Sequence, residues 1–175
     1  MASNFLTAAT LLGMALHFAA PPQQSTPLSE KVQKELAKSK AHYDGQNDPV
    51  GRAKALANLG RAEIRAAREM ADAGNYTAAL EYVKDYGDQA RAAHDALVKT
   101  GVNAESHSAG FRQLQISVRE NIRAIPDIAG EVPFAQRQPL EAQLQELENL
   151  NQQLILELFP RQPGHKAERE NYSFE

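Results

Sequence analysis

Alanine dominates the middle of this chain and restricts the folds that it can adopt. Fourteen alanines lie between Ala53 and Ala96. Alanine has the highest helix propensity, and its small side chain lets two helices approach closely. The Gly74-Asn75 pair divides the stretch, and glycine readily takes the left-handed conformation that ends a helix. The pattern therefore predicts two long helices that form a tight antiparallel hairpin.

The turn of this hairpin has a distinctive local sequence. Residues 74–80 (GNYTAAL) resemble the turn between the two helices of a tetratricopeptide repeat. In that repeat a glycine permits the turn, an aromatic side chain packs beneath it, and an alanine allows close helix contact. No second copy occurs at the roughly 34-residue interval of such repeats. The resemblance therefore implies a tight helical hairpin and does not extend to peptide binding by a repeat array.

Helical periodicity extends over most of the remaining chain, and no segment shows the alternation of a β-strand. Thr26-Pro27 and Asp48-Pro49 each place a capping residue before a proline that suits the first helical position. Pro126 is expected to kink or end the fourth helix. The predicted fold is all-α, a single antiparallel helical bundle of four to five helices with a long helical hairpin. The predicted helices lie near residues 28–43, 49–73, 76–99, 111–125 and 139–160.

The last helix carries the clearest apolar seam. Its spacing alternates between four and three residues, as in a heptad repeat, and a polar Asn151 interrupts it. Additional apolar residues widen the stripe, which favours burial inside the bundle, while a coiled-coil homodimer through this helix stays possible. The seam consists of Leu140, Leu144, Leu147, Asn151, Leu154 and Leu158. Five side chains are predicted to be buried in the core: Leu114, Val118, Leu144, Leu147 and Leu154.

The amino-terminal segment has the character of an export signal. Residues 5–20 form an uncharged, mostly apolar run that ends at Pro21-Pro22. The run is shorter than the roughly 20 residues that cross a bilayer, and no basic residue precedes it. An uncleaved membrane tether and a cytosolic protein with an apolar amino terminus are the alternatives. The expected location is outside the cytoplasm, periplasmic or extracellular, in a bacterium.

These features divide the chain into four parts. An export signal at 1–20 and a proline-rich spacer at 21–27 precede a helical bundle domain at 28–160, and a disordered tail is expected at 161–175. The chain contains no cysteine. Disulfide scaffolds, thiol catalysis, cysteine zinc sites and c-type haem attachment are therefore excluded.

Charge is unevenly distributed along the sequence. Residues 28–74 contain nine Lys and Arg against seven Asp and Glu, whereas residues 134–160 contain one arginine and four glutamates. This asymmetry predicts helices that attract one another within the fold, and it is too weak to indicate nucleic-acid binding. Arg112, Arg119 and Arg123 are expected to form ion pairs with the acidic last helix, with anion binding as the alternative. The lysines of the first helix, Lys31, Lys34, Lys38 and Lys40, are expected to be solvated, with binding of phosphate or an anionic surface as the alternative.

Residues with catalytic potential do not form a recognisable pattern. The sequence has no zinc-protease motif, phosphate-binding loop, nucleophile elbow or calcium loop. We expect no catalytic residue, no cofactor and no metal site, because no histidine has a partner at a useful spacing. The adjacent His94 and Asp95 are expected to point to different faces. The five histidines are His17, His42, His94, His107 and His165.

Tyrosines on the third helix form the only suggestive cluster. Tyr82 and Tyr86 are four residues apart and should share a face, and Tyr76 precedes them on the same helix. Half-buried tyrosines often line helix–helix grooves, so Tyr76, Tyr82 and Tyr86 form a candidate partner-binding groove. The functional prediction is an exported, non-enzymatic helical protein, an interaction or structural module with a protein partner. A bundle-type ligand or metal sensor or carrier of the cell envelope is the alternative.

Overall fold

The computed structural model describes residues 27–160, which form six α-helices and one short 3-10 turn and contain no β-strand. The predicted all-α bundle is therefore confirmed. The expectations for the export signal, for the tail and for spacer residues 21–26 lie outside the described residues. The helices are α1 (Glu30–Asp44), α2 (Pro49–Asp72), α3 (Tyr76–Lys99), α4 (Ala109–Ile122), α5 (Ile125–Glu131) and α6 (Gln138–Leu158), and the 3-10 turn is Phe134–Gln136.

Helix α2 is the centre of the bundle. It packs against α3, α4 and α1, and twelve of its 24 residues are buried, six of them alanines. Helix α2 approaches its neighbours most closely at Gly60. A Cβ atom added at this position would lie 2.6 Å from Nδ2 of Asn121 and would also overlap the Tyr86 ring. Because Tyr86 lies on α3 and Asn121 on α4, small residues on α2 bring three helices together at one level.

The α2–α3 hairpin forms as the sequence predicts. Three residues connect two helices of 24 residues each, and each helix is about 36 Å long, so helices that pack along their lengths must be antiparallel. Gly74 has a φ of 76°, the left-handed conformation expected at this position. Asn75 caps α3, since its side chain accepts a hydrogen bond from the Ala78 amide at 3.2 Å.

Helix α6 closes the bundle against α4 and α3. Its seam is used within the chain, because four of the five seam leucines, and Leu150 beside them, are buried by other helices. Leu144 is the exception among the predicted core residues, since it is only half-buried. Oδ1 of Asn151, the polar residue that interrupts the seam, accepts a hydrogen bond from Nε2 of Gln115 of α4 at 3.0 Å. The buried leucines are Leu140, Leu147, Leu150, Leu154 and Leu158.

Two helix boundaries differ from the sequence prediction. Helix α1 begins at Glu30, so Pro27 lies outside it and not at its first position. The Ser29 amide and hydroxyl both donate to the Glu69 carboxylate of α2, and these two hydrogen bonds hold Ser29 in an extended conformation. Helix α4 ends at Ile122, and Pro126 lies in the first turn of the separate short helix α5. By contrast, Asp48 caps α2 as predicted and accepts from the Gly51 amide at 2.7 Å.

Candidate functional site: a basic face and an arginine-lined groove

Basic side chains gather on the outward sides of α1 and α2. On α2 the exposed cationic residues follow helical spacing and therefore form one strip between the neighbouring helices α1 and α4. A depression of about 540 Å³ between α1 and α2 is lined by Lys38, Arg61 and Arg65, and Arg61 and Arg65 also line a second depression of about 290 Å³ against α4. We call this surface the basic face: Lys31, Lys34, Lys38, Lys54, Arg61, Arg65 and Arg68.

Acidic side chains neutralise only part of the basic face. Arg65 pairs with Glu35 of α1, and Arg68 pairs with Asp127 of α5 at 3.0 Å. For the remaining cations, no carboxylate of residues 27–160 lies within 4.0 Å. The basic face therefore keeps an excess of positive charge that is directed to solvent.

The charge asymmetry of the sequence does not bring the basic and acidic helices together, contrary to the prediction. Acidic α6 packs against α3 and α4 and not principally against α1 or α2. Within the described part of the chain, its glutamates pair only with α3: Glu146 with Arg91, and Glu157 with His94. Helix packing is decided by the apolar faces, so the opposite charges remain on different faces of the molecule.

The arginines of α4 also depart from their expected role. Arg112, Arg119 and Arg123 are exposed and lie beside α6, as predicted, but no carboxylate of residues 27–160 is within 4.0 Å of any of them. They line a groove between the two helices. The predicted ion pairs with the last helix are therefore absent from the described structure, and these three side chains are exposed on the surface of residues 27–160.

The α4–α6 groove consists of two adjoining depressions that share Arg119. The first, of about 430 Å³, has an apolar end formed by Ile116, Leu158 and Phe159. The second, of about 500 Å³, has a wall of amide side chains from α6. The groove therefore changes along its length from apolar to basic and polar. Its amide wall contains Gln145, Asn149, Asn151 and Gln152.

The three tyrosines predicted as a partner groove occupy different environments. Tyr86 is fully buried, and its hydroxyl lies 3.2 Å from the Ser117 hydroxyl; burial raises its pKa to about 12. Tyr82 is half-buried, and burial also raises its pKa. Tyr76 lines a depression whose other wall includes Leu140 and neighbouring residues at the start of α6. The structure therefore does not bring these three side chains together on one accessible surface, and partner binding by Tyr76 or Tyr82 stays a prediction.

A buried carboxyl group is present at the junction of α1, α2 and α3. Glu63 is 4% exposed, and its Oε1 accepts from Nε2 of Gln89 at 2.8 Å. Burial raises the pKa of Glu63 to about 7; the Gln89 hydrogen bond and Lys40 oppose the rise, and Asp85 adds to it. Neither Oε2 of Glu63 nor Oε1 of Gln89 has a hydrogen-bond partner among the described residues. A proton on Glu63 would let the two side chains form a reciprocal acid–amide pair.

His94 has a partner that lies far away in the sequence. The residue is 5% exposed, and Nε2 lies 3.0 Å from both carboxylate oxygens of Glu157. Asp95 is exposed whereas His94 is buried, in keeping with the different faces predicted for them, although Oδ1 of Asp95 lies 3.8 Å from Nδ1 of His94. Because 63 residues separate His94 from Glu157, no local spacing could reveal the pair. The contact ties the end of α6 to α3.

Comparison of the chain with protein-family models, with curated proteins and with solved structures finds no significant match. Over residues 27–160, no three His, Cys, Asp or Glu side chains are grouped so that they could hold a metal ion. None of the helices in this range is both long and apolar enough to cross a membrane.

Proposed function

We propose that this protein is a non-enzymatic helical interaction module that binds an acidic surface of a partner protein through the basic face. We also propose that it acts outside the cytoplasm, because residues 5–20 have the composition of an export signal. The observation that carries the proposal is the excess of unneutralised cations on the outward sides of α1 and α2.

The chemistry of the basic face suits the recognition of carboxylates. Arginine presents several donors in a fixed planar arrangement that matches a carboxylate, and it is enriched in protein interfaces. Here Arg61 and Arg65 line depressions on both sides of α2, so their guanidinium groups can be approached from either side. The interleaved Glu35 and Asp127 orient Arg65 and Arg68 and give the surface a defined pattern of charge.

A protein partner is favoured over a lipid surface because α1 and α2 carry no exposed apolar anchors beside their basic residues. Helices that lie on membranes insert large apolar side chains beside their basic residues. The large hydrophobic residues that are exposed in the described structure are on other elements, and none is on α1 or α2. They are Val98, Val102, Phe134, Leu156 and Phe159.

Charge reversal on the basic face tests the proposal. The variant Lys38→Glu/Lys54→Glu/Arg61→Glu changes three cations without breaking an ion pair, and the control Lys84→Glu/Lys99→Glu changes two on α3. Binding of the full chain to poly-L-glutamate and to phosphatidylglycerol vesicles is measured by biolayer interferometry at several salt concentrations.

The expected result is salt-sensitive binding to poly-L-glutamate, weakened about tenfold or more by the triple variant and little by the control. Equal loss in both variants would show that net charge alone is responsible and would overturn the proposal. Stronger binding to vesicles than to poly-L-glutamate would favour a membrane and also contradict it. Circular dichroism of each variant confirms that the bundle is intact.

A further inference from the structure

We infer that the α4–α6 groove binds an extended acidic peptide segment with carboxylates three and two residues apart and an apolar residue at one end. This inference rests on the proposed function, because it concerns a protein partner, but it uses a different surface from the basic face. Its basis is the geometry of Arg112, Arg119 and Arg123 and the character of the two ends of the groove.

The spacing of the arginines sets the spacing of the carboxylates. Arg112 and Arg119 are seven residues apart, about 10 Å along the helix axis, and Arg119 and Arg123 are four residues apart, about 6 Å. An extended peptide advances about 3.3 Å per residue, so these distances correspond to about three and two peptide residues. The long, flexible arginine stems can compensate for the alternating directions of the peptide side chains.

The apolar end of the groove fixes the position of the apolar peptide residue. Phe159 is 72% exposed and lines the same depression as Ile116, Leu158 and Arg112. An apolar side chain placed there would remove part of the Phe159 ring from water, which is favourable. The preferred ligand therefore carries an apolar residue just beyond the carboxylate that meets Arg112.

The opposite wall can bind the main chain of the peptide. Gln145, Asn149 and Gln152 of α6 are exposed on the groove, and each amide group has both a donor and an acceptor. Glu105 and Glu148 are also on its walls. These carboxylates would repel the continuous negative charge of a nucleic acid, whereas separated carboxylates can avoid them.

Fluorescence anisotropy with synthetic peptides tests the inference. The first labelled peptide is Phe-Gly-Asp-Ser-Ser-Asp-Ser-Asp, which has the inferred spacing, and the second has the same composition with its three aspartates adjacent. The full chain is titrated into each peptide at low salt. The variant Arg119→Gln removes the side chain shared by both depressions, and Lys84→Gln on α3 is the matched control.

We expect the spaced peptide to bind at least about tenfold more tightly than the clustered peptide, since guanidinium–carboxylate pairs depend on geometry. Arg119→Gln should remove most of this difference, and Lys84→Gln should not. Equal affinity for the two peptides, or the same affinity in Arg119→Gln and the parent chain, would overturn the inference. If charge reversal on the basic face abolishes poly-L-glutamate binding while the spaced peptide fails to bind, the proposed function stands and this inference falls.

Discussion

Helices α1 and α2 are neighbours, but they are held in the bundle in different ways. Half of α2 is buried, and it contacts helices on three sides, whereas Val32 is the only buried residue of α1. Besides the apolar contact of Val32, polar contacts attach α1 and the residue before it to α2, through Glu35 with Arg65 and Ser29 with Glu69. Apolar burial supplies most of the stability of a packed helix, and exposed ion pairs supply little. Helix α2 should therefore determine the stability of the bundle, and α1 should be the helix most easily released.

Truncating one core residue on α2 and one on α1 should give the largest difference in the free energy of unfolding between the two helices. Leu56 of α2 is fully buried, so Leu56→Ala should lower the free energy of unfolding by about 2–5 kcal/mol. Val32→Ala on α1 removes two methyl groups at an edge of the structure and should cost about 1–2 kcal/mol. Urea denaturation followed by circular dichroism measures both. Similar losses in the two variants would contradict the central role of α2.

The same contrast explains which features of the fold could be predicted from the sequence. The start of α2 and the α2–α3 turn depend on contacts between residues that are close in sequence, such as Asp48 with Gly51, so local sequence patterns predict both correctly. The start of α1 depends on the contact of Ser29 with Glu69, which is 40 residues away in sequence. Local sequence patterns therefore predict this helix start incorrectly.

The residues of the candidate site also divide into those that local patterns predict and those that depend on contacts between distant parts of the chain. The arginines of α4 could be recognised by their spacing, but whether a carboxylate of residues 27–160 meets them depends on how α4 and α6 pack together. The His94–Glu157 pair and the buried position of Glu63 depend on helix packing that no local pattern encodes. A polar residue within an alanine-rich helix was the signal available for Glu63, because Ala62, Ala66 and Ala67 surround it in sequence.

Glu63, where α1 and α3 meet α2, should make the stability of the bundle depend on pH. Its pKa in the folded protein is about 7, above the ordinary value of 4.5. Between pH 4.5 and pH 7, the folded state therefore keeps a proton that the unfolded state has lost. Stability should therefore fall as pH rises from about 4.5 to about 7, by up to about 3 kcal/mol, and then level off.

The variant Glu63→Gln isolates this effect. A glutamine of nearly the same shape can still pair with Gln89 but cannot ionise, so Glu63→Gln should be more stable than the parent chain at pH 8 and similar at pH 4.5. Chemical denaturation over this pH range measures the difference, and Asp85→Asn controls for the nearby exposed carboxylate. Parallel pH profiles for the parent chain and Glu63→Gln would show that the Glu63 carboxyl is not responsible.

The smallest expected effect concerns the ion pair that joins α1 to α2. Arg65 and Glu35 are both partly exposed, so their interaction should contribute only about 0.2–1 kcal/mol and should weaken as salt is added. A double-mutant cycle with Glu35→Gln, Arg65→Gln and the combined variant measures the coupling, and Glu81→Gln on α3 is the control for losing an exposed carboxylate. A coupling energy above about 2 kcal/mol, or one insensitive to salt, would mean that α1 is fixed by its charges as firmly as α2 is fixed by burial. A small coupling would leave Arg65 able to exchange Glu35 for a carboxylate of the partner, and Glu35→Gln should then strengthen poly-L-glutamate binding.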